Sequence, residues 1–163
     1  MVTTKTVVNY GIKYKPMPDL VPLAPSHLEK VWQIESKAHS HPWKRSMIDD
    51  LASRGAMHFA FVQDDQVVGY FYAQNIVGEV TLLNVAIDPQ CQGQGLGSKL
   101  VEGFIEICEQ KGIDSIWLEV RESNQIAQSL YLNAGFNEVD RRNNYYPTAG
   151  GREDAIIMSY LCL

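Results

Sequence analysis

Three glycines at alternate positions in 90-QCQGQGLGSKLVEGFIEIC-108 run straight into an amphipathic helix. Without Cβ atoms at Gly93, Gly95 and Gly97, successive backbone N–H groups can close on an anion, and the positive end of the helix dipole adds favourable charge. A turn of this kind usually holds phosphate. The dinucleotide fingerprint Gly-x-Gly-x-x-Gly/Ala is approached by Gly93, Gly95 and Ser98, with Glu119 near the spacing of its ribose-binding acid. Two features count against it. The preceding strand ends near Ile87, too far from Gly93 for a tight turn, and hairpin-joined strands stand where a βαβ unit should. The nucleotide P-loop fails too, because Ser98-Lys99-Leu100 does not supply its Gly-Lys-Ser/Thr ending. Residues 92–97 fit Gln-x-x-Gly-x-Gly better, and a purely structural turn stays open beside it.

Glu119 is the second residue with chemistry in reach. In 114-DSIWLEV-120, period-two alternation puts Ile116, Leu118 and Val120 on one strand face and Trp117, Glu119 and Arg121 on the other. If this strand is central, the second face is covered too, and a carboxylate there is costly without a purpose. The competing reading is an exposed Glu119 paired with Arg121. Tyr131 lies on a helix beside Ala127, Leu130 and Ala134, where core packing with a satisfied hydroxyl is the ordinary role. Asn124 reads as a first-turn helix residue. Cys91, Cys108 and Cys162 are odd in number and far apart, so neither a disulfide framework nor a zinc site is indicated, and Cys91 has no accompanying His/Asn signature. His27, His39, His41 and His58 lack metal-ligand spacing, and no metal is expected.

The chain around these residues has 163 amino acids, which fits one domain, read as residues 21–163 after an N-terminal extension of unassigned role at 1–20. With 45% hydrophobic and 20% charged residues, composition is ordinary for a soluble globular protein. No apolar run approaches the ~18 residues of a membrane span. The first residues lack the apolar stretch of a signal peptide, so no membrane role and a cytoplasmic location are expected. A net charge of −5 without a Lys/Arg block argues against direct nucleic-acid binding and would favour a basic partner.

The elements follow from pattern. An edge strand is expected around residues 10–14. Ser26 is expected to cap a helix carrying Leu28, Val31, Trp32 and Glu35 to about Ala38, which HSHPW breaks, and a short helix spans about 46–54. Residues 57–63 and 67–77 flank Asp64-Asp65-Gln66 as a hairpin, and Gly78 turns into a third strand at 79–87. After the glycine loop, a helix at about 96–111 presents Leu96, Leu100, Phe104 and Cys108 on one face and stops at Gly112. A strand at 114–120 follows, then a helix from Ser123 or Asn124 to Ala134-Gly135. Two strands at about 136–142 and 153–161, joined by the loop NYYPTAGG, complete the chain. An antiparallel meander followed by one βαβ crossover is an α+β, mixed-sheet arrangement.

The loop at 92–97 resembles the pyrophosphate loop of the GCN5-related N-acetyltransferases, the GNAT family. LLNVAIDP resembles that family's central strand, and 124-NQIAQSLYLNAGF-136 its Asn-x-x-Ala-x-x-Leu-Tyr-x-x-x-Gly-Phe block. HPW at 41–43, 117-WLEVRESN-124, 130-LYLNAGF-136 and 144-NYYPTAGGREDAIIM-158 resemble its RimI-type branch of ribosomal-protein alanine N-acetyltransferases. Gly93 and Gln94 stand where that branch often carries arginines. The resemblance implies a central, mostly antiparallel mixed sheet flanked by helices, and acetyl transfer from acetyl-CoA to an amine. The acceptor it implies is the N-terminal alanine of small-subunit ribosomal protein eighteen, presented as a basic peptide. By the same likeness Glu119 is the base and Tyr131 the acid that protonates the departing thiolate. Val85, Ala86 and Ile87 would pair with pantetheine, with the Val85 N–H as oxyanion donor. Gly93, Gln94, Gly95, Leu96, Gly97 and Ser98 would hold the pyrophosphate, and Asn124 would hydrogen-bond the cofactor. His41, Trp43, Tyr145 and Tyr146 are expected to line the acceptor groove. Alternatives are a lysine, small-amine or other N-terminal acetyltransferase of the same fold, and a non-catalytic CoA-binding or partner-binding module.

Overall fold

The structure, a computed structural model, describes residues 16–163, so the strand expected around residues 10–14 lies outside it. Its elements run β1 (Asp19–Pro22), α1 (Leu28–Ala38), α2 (Arg45–Asp49), β2 (Phe59–Gln63), β3 (Gln66–Ile76), β4 (Glu79–Ile87), α3 (Leu96–Gln110), β5 (Ser115–Arg121), α4 (Gln125–Ala134), β6 (Asn137–Thr148) and β7 (Gly151–Leu161). The strands form one seven-stranded sheet in the order β1-β2-β3-β4-β5-β7-β6. Only the β4–β5 pairing is parallel, as the α3 crossover requires. The expected mixed, mostly antiparallel sheet is what the chain builds.

Apolar alternation divides the core between the two sheet faces. On one face Phe71, Val80, Leu82, Ile116, Leu118, Ile156 and Met158 meet Leu100, Phe104 and Cys108 of α3 and Tyr131 of α4. On the other, Ala60, Tyr70, Tyr72 and Ala86 meet Val31 and Ile34 of α1 and Ile48 of α2. The short helices α1 and α2 reach over β2, β3 and β4 only. β5 is central, but its second face is not roofed by a helix, which leaves Glu119 with 30% of its side chain exposed.

Three local expectations are corrected. Ser26 does not cap α1: it lies inside a short 3-10 turn, Pro25–His27, and His27 stands at the helix start without a side-chain cap bond. The short second helix ends at Asp49 rather than near residue 54. NYYPTAGG is not a loop, because β6 continues through it to Thr148 and pairs with β7 from Asn137↔Ser159 to Thr148↔Gly151. β6 is exposed along nearly its whole length, so no apolar period marks its course in the sequence.

The feature that shapes the site is in β4. In its pairing with β3, Tyr72 faces Asn84 and Ala73 faces Leu82, so Leu83 is an extra, bulged residue. Before the bulge, Val80 and Leu82 point to the α3 side; after it, Val85 and Ile87 do so, and Ala86 joins the α1 side. At the same place the β4–β5 ladder stops, with Leu82↔Leu118 as its last pair although both strands continue. The bulge bends β4 away and opens a cleft between two neighbours in one sheet.

Deleting Leu83 keeps every inward side chain of β4 on its own face while removing the bend. The variant should fold, and calorimetry with acetyl-CoA, the ligand the family likeness implies, should show affinity reduced at least tenfold, about 1.4 kcal/mol. Undiminished affinity in the folded variant would show that the bulge does not make the cleft.

Candidate active site

The parted strands form the walls of a cavity of about 750 Å³, the size of a small-molecule site. Val85, Ala86 and Ile87 line it from β4 and Leu118, Glu119 and Val120 from β5. Beyond Leu82 the β4 backbone has no ladder partner on the β5 side, so its N–H and C=O groups on that edge, apart from the Ile87 carbonyl that Gln92 holds, are open to an added strand-like ligand.

The glycine loop closes one end. Asp88 accepts a hydrogen bond from the Gln90 N–H at 3.0 Å and an ion pair from Lys30 of α1 at 3.1 Å. Burial alone would raise its carboxyl, but these two partners hold it below the usual carboxylate range. Gln92 donates through Nε2 to the Ile87 carbonyl at 3.2 Å, folding the loop back on the end of β4. Gly93 and Gly95 have φ of 79° and 75°, the left-handed region that other residues resist, and a Cβ on either would meet nothing within 4 Å. The loop is therefore shaped by backbone conformation rather than by packing, and the space a side chain would take lies open. Gly93, Gly95, Leu96, Gly97 and Ser98 line the cavity; Gln94 does not and points no contact into it. A pyrophosphate suits this donor set: free N–H groups, a helix N-terminus and no opposing carboxylate among the loop residues.

Glu119 and Tyr131 line the same cavity from opposite walls, β5 and α4. Glu119 is not paired with Arg121. Its Oε1 lies 3.4 Å from Nε of Arg142 on β6, whose side chain is 54% exposed. An exposed pair of this kind contributes about 0–1 kcal/mol, too little to keep the carboxylate from other partners. Arg121 turns instead to Glu153 (3.4 Å) and the Pro147 carbonyl (3.0 Å), and its guanidinium stacks 4.4 Å from the Tyr146 ring centroid. Tyr131 is 6% exposed, beside Phe136, and burial pushes its hydroxyl above the usual phenol range; a phenol is protonated at neutral pH with or without that shift. Asn124 is the N-cap of α4: its Oδ1 accepts from the Ala127 N–H at 3.1 Å. Only its amide nitrogen is then left to donate to a ligand.

Another wall of the cavity is built by the segment between α1 and α2. His41 and Trp43 line the cavity there, and Tyr146 lines it from β6, its hydroxyl raised to about 12 by burial. Tyr145 does not line it; its ring packs on Tyr146 at 4.9 Å and under Arg142 at 5.2 Å. Sequence reasoning missed Glu35, Asn84 and Arg142. Glu35 is fully buried on α1 and lines the cavity with Asn84, and a carboxylate placed on a helix stripe with Val31 and Ile34 was the visible signal. Among the described residues, no three His, Cys, Asp or Glu side chains gather as a metal site, and no helix is long and apolar enough to cross a membrane.

Comparison with known proteins agrees with this geometry. The family model described as the acetyltransferase (GNAT) family matches residues 28–136. The "[Ribosomal protein bS18]-alanine N-acetyltransferase" of Salmonella typhimurium is 42% identical over 137 residues, covering 84% of this chain and 93% of that protein. A Bacillus subtilis protein named as a putative enzyme of the same kind is 34% identical over 133 residues, covering 80% and 87%. The crystal structure of the ribosomal-protein-S18-alanine N-acetyltransferase from Escherichia coli superposes with a TM-score of 0.84 at 39% identity, covering 90% of this chain and 94% of that one. Since the matched segment holds the bulged strand, the glycine loop, Glu119 and Tyr131, the chain belongs to the acetyltransferase (GNAT) family.

Proposed function

We propose that the protein acetylates the N-terminal alanine of ribosomal protein bS18 and acts on it as a basic peptide in the cytoplasm. The observation that carries this reading is one cavity holding an open strand edge, a glycine loop, a carboxylate and a protonated tyrosine, in a chain 42% identical to an enzyme of that name. Residues 21–163 are taken as the catalytic domain.

Acetyl-CoA, the family's co-substrate, supplies an activated acyl thioester. The residues of this chain supply placement and protons. The β4 edge from Val85 to Ile87 receives the pantetheine arm as a strand, and the Val85 N–H donates to the thioester oxygen, where negative charge develops. The loop from Gly93 to Ser98 holds the pyrophosphate. Glu119 accepts the proton that the acceptor must lose: an α-amine has a pKa near 7.7–8.0 and is mostly protonated at neutral pH. Tyr131, protonated at neutral pH as a phenol is, donates to the departing thiolate. His41, Trp43 and Tyr146 line the path of the acceptor's first residues. The weak Arg142 contact to Glu119 is replaceable by the incoming ammonium.

Glu119→Gln and Tyr131→Phe should each lower kcat by ~10²–10⁴-fold. Acetyl-CoA affinity should stay nearly intact in both. Raising pH should partly restore Glu119→Gln, because the free-amine fraction of the acceptor grows through its own pKa. Near-normal kcat in both variants would remove these roles. Gly95→Val, by contrast, should weaken acetyl-CoA binding at least tenfold, about 1.4 kcal/mol, through the left-handed φ and the lost phosphate space.

The acceptor is tested with three peptides: Ala-first basic, Ala-first acidic, and N-terminally blocked with an internal lysine. The net charge of −5 should favour the first, with salt raising its KM as charges are screened over ~8–10 Å. Equal kcat/KM for all three, or preference for the blocked peptide, would replace an N-terminal acetyltransferase with a lysine or small-amine enzyme.

A further inference from the structure

Glu35 has no part in the proton transfers above, yet it is among the most completely buried side chains described, at 0% exposure. A carboxylate taken out of water is costly unless donors surround it. Here three do. The Tyr70 hydroxyl donates to Oε1 at 2.6 Å, Nδ2 of Asn84 donates to the same oxygen at 2.7 Å, and the Trp43 backbone N–H donates to Oε2 at 3.0 Å. Burial, and then the Glu35 bond, push the Tyr70 hydroxyl up, so it remains a donor. The Nε2 of His39 stands 3.6 Å from Oε1 without a hydrogen bond.

The three donors come from three different segments, two of which line the cavity. Asn84 lies between the bulged Leu83 and Val85, and the bulge turns its side chain toward α1. Trp43 lies in the segment that lines the acceptor side. Tyr70 belongs to β3, behind β4 and outside the cavity. One carboxylate thus ties the bulge that presents the Val85 N–H to the segment that receives the acceptor.

We infer that Glu35 is a positioning residue that fixes the bulge through Asn84 and the acceptor segment through the Trp43 N–H, setting the distance between the acyl group and the attacking amine. The inference rests on the reading of Val85 as the oxyanion donor. Misplacement of reacting groups by about 1 Å costs on the order of 10²-fold in rate, so a loose bulge would be felt in turnover rather than in cofactor binding, which the glycine loop carries.

Glu35→Gln brings an NH₂ donor against one of the three donors. Asn84→Ala removes only the tie to the bulge. Tyr70→Phe removes a bond to the same oxygen without touching β4. All are measured well below their unfolding midpoints, at saturating acetyl-CoA and Ala-first basic peptide. Glu35→Gln and Asn84→Ala should each lower kcat ~10–100-fold with acetyl-CoA affinity changed less than about threefold. The double variant should be little worse than the poorer single, as two changes on one path are non-additive. Tyr70→Phe should lower the unfolding midpoint and keep kcat within about threefold of wild type.

The amide resonances of Leu83, Asn84 and Val85, read without any acceptor, should move in Glu35→Gln and Asn84→Ala and stay in Tyr70→Phe. Wild-type kcat in both site variants, independent effects in the double, or equal losses in Tyr70→Phe would overturn the inference. If wild type does not turn over the peptide, the proposed function falls, and the amide resonances still decide whether Glu35 holds the bulge. Should Glu35→Gln fail to fold, Asn84→Ala against Tyr70→Phe carries the same decision.

Discussion

β4 and β5 share a ladder from Glu79↔Ser115 to Leu82↔Leu118 and then part, although both strands run on. Backbone N–H and C=O groups inside a protein are almost always paired, and leaving one buried and unmet costs about 1–3 kcal/mol. A gap between neighbouring strands is tolerable only if water or a ligand fills it. The extra residue at Leu83 makes the gap without disturbing the core, because two residues opposite one return Val85 and Ile87 to the face that Val80 and Leu82 occupy. The sheet keeps its hydrophobic interior on the α3 side and offers an open backbone edge in its middle. Such an edge is of the kind that takes an extended, amide-bearing chain as an added strand.

The remaining site follows from where the gap ends. At the carboxyl end of β4 the chain must turn into α3, and the turn is anchored twice, by Asp88 on Gln90 and Lys30 and by Gln92 on the Ile87 carbonyl. That places the first N–H groups of α3 at the mouth of the cleft, where phosphate charge is favoured. Across the gap, the alternation of β5 leaves Glu119 on the sheet face that carries α1 and α2 but beyond their reach, partly open to solvent. Tyr131 lies buried on the α3–α4 side. The same sheet separates the two side chains in space and in exposure.

Much of this was legible in residue order. The glycines, the span of β4, the parity of β5 and the helix carrying Tyr131 were all visible as period and punctuation. The bulge was not, because LLNVAI is apolar on both sides of Leu83 and a continuous run hides a change of face; Asn84, its one polar residue, was the available clue. The course of β6 was illegible because a strand exposed on both faces carries no alternation, and that is why NYYPTAGG looked like a loop. Tyr145 was separated from Tyr146 only by the register of that strand, which turns one ring into the cavity and the other onto Arg142. The competing pairing of Glu119 with Arg121 does not form: Arg121 is next on the same face, but Glu153 across the β5–β7 ladder holds it.

Amide hydrogen exchange, residue by residue, with and without acetyl-CoA tests the central claim most directly. The parted strands predict slowed exchange on binding at two places: the β4 edge between Val85 and Ile87, and the loop from Gly93 to Ser98. The paired part of β4 before Leu82 should exchange slowly in both states. Protection confined to another surface, or none along the β4 edge, would contradict the account.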